Sequence, residues 1–255
     1  MVKAALAARG WYRFKADPAI LDWVGAALPV AQKVIADSDE DWRCGGTWFV
    51  GVDALPNAAD GAVGGVALDG QAARAVREAF GPMAFHRAQL SAIAPGYPRP
   101  SADETEAAYG YRLRRDAAHV DGILPIGAQK RRMLREPHGY VLGVALNDAD
   151  AGAAPLAVWD RSHKIMAQAF ARALDGHAPA DWADVDLTDA YQAARRAVFA
   201  ACARIELPQK PGEAVLLDRH LLHGVAPWQD GAKAAPEGRI IAYFRPQLAQ
   251  VRDWL

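Results

Sequence analysis

His119-Val120-Asp121 is the one place in the chain where a histidine is followed two positions later by a carboxylate. A second histidine pair lies far downstream, in Asp218-Arg219-His220-Leu221-Leu222-His223-Gly224. Two imidazoles and one carboxylate can occupy one face of a divalent metal and leave the opposite positions open. That donor set suits ferrous iron when it must take O2 and a second molecule together. On an extended backbone, residues i and i+2 point the same way, so His119 and Asp121 can hold one ion from one short segment. The third ligand must come from elsewhere. His223 and His220 compete for that place, because three residues apart on an extended chain they face opposite ways, and the spacing alone leaves the choice even.

An arginine completes the chemistry. A dicarboxylate such as 2-oxoglutarate needs a fixed cation, and a guanidinium grips a carboxylate through two parallel hydrogen bonds. Arg239 opens the last apolar run, Arg239-Ile240-Ile241-Ala242-Tyr243-Phe244, and Arg245 shares its face if that run is a regular strand.

The elements that must position these residues can be read from their patterns. Thr47–Val52, His86–Ile93, Tyr109–Val120, Tyr140–Leu146, Leu156–Trp159, Ala214–Leu217 and Arg239–Phe244 read as strands. Asp17-Pro18 begins a helix expected to break near Pro29, Gln71–Phe80 is amphipathic, and Thr188–Ile205 carries a helical stripe. Helices dominate the first third, to about residue 84. Strands that follow one another without intervening helices argue against a doubly wound α/β sheet. The expected fold class is mainly β with peripheral helices around a double-stranded β-helix, a cupin-like jelly roll. One domain over residues 1–255 is expected, with the jelly-roll core at about 85–246.

Composition narrows the partners. The chain has 255 residues, 52% hydrophobic and 23% charged, enough for a sizeable core. A net charge of −1 argues against general electrostatic binding to nucleic acid, and the basic clusters at Arg112, Arg114, Arg115 and at Lys130–Arg135 read as solvated faces. The two cysteines, Cys44 and Cys202, form neither a disulfide framework nor a metal knuckle, which fits a reducing cytoplasm. The short apolar start, cut by Arg9, is not expected to be a signal peptide, and no membrane span is expected. Ser162-His163 lacks a nucleophile elbow, and Gly61–Gly65 lacks a dinucleotide fingerprint. His138, beside a buried run, reads as a hydrogen-bonded supporting group.

With these residues in hand, the stretch Phe85–Pro246 resembles the phytanoyl-CoA dioxygenase-like family of Fe(II)/2-oxoglutarate oxygenases. Four pieces occur in the family's order: His119-Val120-Asp121-Gly122; Leu156 through Arg161-Ser162-His163; Pro211-Gly212 through Leu222-His223-Gly224; and Gly238-Arg239 through Tyr243. The resemblance implies a jelly roll, with His119, Asp121 and His223 as iron ligands. It favours His223 over His220 because a glycine follows, and it makes Arg239 the anchor for 2-oxoglutarate. It implies consumption of O2 and 2-oxoglutarate, release of succinate and CO2, and hydroxylation of a small-molecule substrate. Related halogenases replace the carboxylate with a small residue, so Asp121 points to hydroxylation.

The chain departs from the family pattern at three places. Arg161 stands where a glycine is usual, Gln229–Glu237 lengthens the interval before Arg239, and Val225 replaces a hydroxyl near the distal histidine. Tyr243 or Tyr111 is then left to assist Arg239. The departures keep two alternatives open: a jelly-roll binding protein without turnover, and a metalloenzyme independent of 2-oxoglutarate.

Overall fold

The structure, a computed structural model, describes residues 1–102 and 104–255. Eleven strands are described: β1 Trp11–Phe14, β2 Trp48–Leu55, β3 Ala88–Ile93, β4 Ile123–Ile126, β5 Arg131–Leu134, β6 Tyr140–Ala145, β7 Leu156–Trp159, β8 Arg204–Leu207, β9 Ala214–Asp218, β10 His223–Val225 and β11 Arg239–Phe244. Six of them form a large sheet in the order β1-β9-β6-β11-β3-β2, and β10-β7-β8 form a smaller one. Every pairing is antiparallel. The two sheets face each other as a jelly roll with helices outside, as the strand pattern predicts. The β4–β5 hairpin stands apart from both sheets.

The alternation of side chains assigns each face of the large sheet its task. Phe49, Leu90, Ala92, Leu142, Leu216, Ile240, Ala242 and Phe244 point outward into a core with Ile20, Trp23, Val24, Ala27 and Val76. These last residues come from the helices Pro18–Asp37 and Gln71–Phe80. Pro18–Asp37 is long and apolar enough to cross a membrane by length and composition. Its buried stripe, from Ile20 to Ile35, packs in this core. On the inner side, Val141, Val215 and Leu217 meet Leu156, Val158 and Leu207 of the small sheet.

Three elements differ from the sequence expectation. The first helix does not break at Pro29. Pro29 and Gly25 are both exposed, so the Gly25 carbonyl that loses its amide partner can turn to water. Tyr109–Val120 is not a strand, because Glu106–Arg115 is helical. The Thr105 side chain caps it by accepting from Ala108 N at 3.2 Å, and Arg112, Arg114 and Arg115 favour its last turn. Asp116 and Ala117, both left-handed, end the helix. The helix from Thr188 stops at Ala201, and Ile205 belongs to β8.

Candidate metal centre

His119 and His223 meet at the β10 edge of the small sheet as an antiparallel backbone pair. His119 N donates to His223 O at 2.8 Å, and His223 N donates to His119 O at 3.0 Å. Directly paired residues point to one face, and the two rings lie with centroids 4.7 Å apart. Asp121, two residues on, joins them. Its Oδ1 is 3.2 Å from His119 Nε2 and 3.8 Å from His223 Nε2. One ligand atom from each residue lies within 4.8 Å of the other two, so the triad could hold a metal ion.

Both rings are fixed in the orientation such an ion requires. His119 Nδ1 lies 3.1 Å from the Ala117 carbonyl, and His223 Nδ1 lies 2.9 Å from the Leu221 carbonyl. A carbonyl only accepts, so each Nδ1 carries a proton, and each Nε2 points to the centre, where its lone pair would serve a bound metal. Burial opposes the charge on Asp121. His119 beside it and the Arg245 guanidinium, with His223, outweigh that and hold the carboxyl well below the usual range. Burial is also the main cause that pushes the His223 imidazole down to about 4, against the attraction of Asp121. At neutral pH the carboxylate and the His223 ring are already in their ligating protonation states.

The loops that carry the ligands approach one another very closely. A side chain at Gly224 would place its Cβ 2.1 Å from the Asp116 carbonyl, and one at Gly122 would lie 2.0 Å from the Glu136 carbonyl. The glycine after each ligand segment is therefore a packing requirement. Asp116 is itself pinned by Arg204, whose Nε and Nη2 reach its two oxygens at 2.5 and 2.9 Å. Ser162 Oγ accepts from Leu222 N at 2.9 Å and fixes the residue before His223. The non-glycine Arg161 beside it is left-handed, with φ 66°.

His220 faces the other way, into the protein. Its ring lies 4.5 Å from Trp254 and 5.9 Å from Phe170, and burial pushes it down to about 3. His223, which the family resemblance favours, is the histidine that lies with His119 and Asp121.

The triad borders a cavity of about 360 Å³. Trp48, Val50, Leu124, Val141, Leu156 and Tyr243 form much of its wall, with Gln89, Ser91, Glu136 and Arg245 as polar members. On β11, Arg239, Ile241 and Tyr243 share the inner face, as the alternation predicts. Arg239 is buried, and its Nε and Nη2 have no hydrogen-bond partner within the protein. Burial pushes the Tyr243 hydroxyl up, against the Arg239 guanidinium beside it. A buried cation with two unused donors, on the strand face that also carries Tyr243 of the cavity wall, fits an incoming carboxylate.

Tyr111 does not join this group. It stands on the helix Glu106–Arg115, donates its hydroxyl to the Ala118 carbonyl at 2.8 Å and packs against Phe199. The expectation that it assists Arg239 is corrected: the supposed strand is a helix, and its turn carries the side chain elsewhere. Val225 packs with Ile93, Tyr97 and Trp228. His138 is a supporting group, as expected, with Nδ1 2.9 Å from the Arg245 carbonyl and Nε2 3.0 Å from Glu136 Oε2. Gln89 and Ser91 were missed from the sequence, although two polar residues at alternate positions in an otherwise apolar strand are a readable signal.

The architecture is a cupin-like double-stranded β-helix, a jelly roll with peripheral helices. Its resemblance to solved structures is broad. The non-heme alpha ketoglutarate dependent carbocyclase SnoK from nogalamycin biosynthesis aligns with a TM-score of 0.54 and 13% identity, over 96% of this chain and 83% of that one. AviO1 from Streptomyces viridochromogenes Tue57 aligns with a TM-score of 0.53 and 16% identity, over 98% and 96%. The non-heme alpha ketoglutarate dependent epimerase SnoN, also from nogalamycin biosynthesis, gives 0.52 and 13%, over 95% and 80%. At these identities the likeness is one of fold. No protein-family profile and no curated protein matches the sequence.

Proposed function

We propose that the chain is an Fe(II)- and 2-oxoglutarate-dependent dioxygenase that hydroxylates a small molecule. The observation that carries this reading is the convergence of His119 Nε2, His223 Nε2 and an Asp121 oxygen, with both Nδ1 atoms committed to backbone carbonyls. These three residues would hold ferrous iron, a donor set that leaves coordination positions free for other molecules. Bound there, iron supplies the activation of O2 that oxidises 2-oxoglutarate to succinate and CO2 and delivers an oxygen atom to the substrate.

The protein contributes binding and orientation. Arg239 would take the far carboxylate of 2-oxoglutarate through its unused nitrogens, with Tyr243 beside it. The apolar lining from Trp48, Val50, Leu156 and Val225 would keep water from that ion pair and so strengthen it. The Ala117 and Leu221 carbonyls keep both imidazoles pointed at the metal. Asp121 occupies the ligand place that halogenases leave to halide, which favours hydroxylation. The fold is also that of a carbocyclase and an epimerase dependent on alpha ketoglutarate, which supports the co-substrate and leaves the substrate to be identified. Membership of the phytanoyl-CoA dioxygenase-like family is supported by the four ordered motifs.

Anaerobic addition of Fe(II) and 2-oxoglutarate tests the reading. A visible charge-transfer band is expected, absent in His119→Ala and in Asp121→Ala. A folded wild-type protein that gives no band overturns it.

A further inference from the structure

Arg245, one residue beyond β11, continues the inner-face alternation of Arg239, Ile241 and Tyr243 and lines the same cavity. Its side chain is 13% exposed, and Nη1 lies 3.7 Å from Asp121 Oδ2, beyond hydrogen-bond length. Nη2 donates to Gln89 Oε1 at 2.7 Å, and Nε is buried with no partner. The guanidinium is thus steered by a neutral amide and leaves donor capacity unused, where a dedicated counter-ion for Asp121 would sit in bidentate contact with it.

The main chain beneath it is clamped. The Arg245 carbonyl has His138 Nδ1 and His86 Nε2 as neighbours, each at 2.9 Å. Two histidines from different parts of the chain hold one peptide unit, which fixes the root of the side chain. Such preorganisation reduces the cost of ordering a long cation when it binds an anion.

Charge points to the ligand. With iron and 2-oxoglutarate in place, the two charges of the metal and the one of Arg239 are matched by Asp121 and the two carboxylates of the co-substrate. Arg245 remains, and so does Arg43, exposed at the cavity rim. The other carboxylate on the wall, Glu136, is hydrogen-bonded to His138 at 3.0 Å and also lies within the field of Arg245. Around Arg245 the lining is mostly apolar, with Val50, Val52, Leu124 and Val141.

We infer that Arg245 receives a carboxylate of the prime substrate, which is therefore an organic acid with an apolar body. The inference rests on the oxygenase reading and names the substrate class for that site. Gln89 is the positioning residue for the guanidinium.

The test uses 3-phenylpropanoate and its uncharged amide, 3-phenylpropanamide, as matched probes. Each is titrated into the anaerobic Fe(II)–2-oxoglutarate protein, with the charge-transfer band as readout, and into the metal-free protein by calorimetry. The acid is expected to bind at least about tenfold more tightly than the amide, the scale of one charge-assisted pair. Arg245→Met should erase the preference in the metal-free protein, where the calorimetric readout does not pass through Asp121 and the metal. Gln89→Glu offers an internal carboxylate to the same guanidinium and should erase it without removing the cation. Arg239→Gln should keep the preference in the metal-free protein. Equal affinity for the two probes, failure of both to bind, or a preference that survives both Arg245→Met and Gln89→Glu overturns the inference. Absence of the band with an Arg245-dependent acid preference in calorimetry sinks the oxygenase reading alone. A band without that preference sinks the anion site alone.

Discussion

The two faces of the large sheet are built from the same strands and obey different rules. Along β11, Ile240, Ala242 and Phe244 enter the apolar core, while Tyr243, and Arg245 just beyond the strand, line the cavity and Arg239 lies buried on the same face with unpartnered nitrogens. On β3, Leu90 and Ala92 alternate in the same way with Gln89 and Ser91. The outer face is satisfied by apolar packing, with the Trp23 indole N–H donating to the Gly61 carbonyl at 2.9 Å. The inner face buries cations whose donors the protein itself leaves unused. One face is packed apolar core and the other carries the buried polar groups, and a register slip of one residue would exchange them.

That division can be broken or sharpened by substitution. Phe244→Ala on the outer face should cost about 3–5 kcal/mol of stability, read from urea denaturation, because the ring packs on Trp23 and Phe85. Arg239→Gln on the inner face should leave the midpoint nearly unchanged. It should weaken 2-oxoglutarate binding about 30–150-fold, the equivalent of about 2–3 kcal/mol for a charged pair, measured by anaerobic titration of the band. A large stability loss in Arg239→Gln would show that the two faces are not separable.

Acid should expose a third kind of buried polar group. Burial pushes His220 down to about 3 in the folded protein, against about 6.5 in an unfolded chain. The unfolded state then binds the extra proton, so the stability that His220 contributes is full above about pH 6.5 and is lost as pH falls toward 3. The expected loss between pH 6.5 and 5 is about 1.6 kcal/mol from this residue, and His220→Leu should remove that share in denaturation curves at the two pH values. The smallest effect is expected from Tyr243→Phe, about 1 kcal/mol in 2-oxoglutarate affinity with stability unchanged.

The inner strands were legible because burial on both sides leaves long apolar runs. Tyr140–Ala145 and Arg239–Phe244 carry that signature, and so does the amphipathic helix Gln71–Phe80. The triad was legible as residue types and spacing. Spacing alone left His223 and His220 even and only the family resemblance favoured His223; the packing of His220 on Trp254 and Phe170 depends on distant parts of the chain. β1 is a four-residue edge strand, too short to show a period, yet it pairs with β9 along its whole length. The helix Glu106–Arg115 was misread because Tyr109 and Tyr111 mimic strand alternation while the Thr105 cap decides the outcome. The grip of His86 and His138 on Arg245 is a backbone contact, and side-chain patterns carry no record of it.

The mutual backbone hydrogen bonds of His119 and His223 have a consequence for the chain as a polymer. They close a long loop, and a metal held by both rings would close the same loop a second time. Such a metal is a reversible cross-link, and clips that close long loops restrict the unfolded chain most. Chelation would therefore remove a staple as well as a reaction centre, and the strands threaded between the two histidines would regain their freedom together.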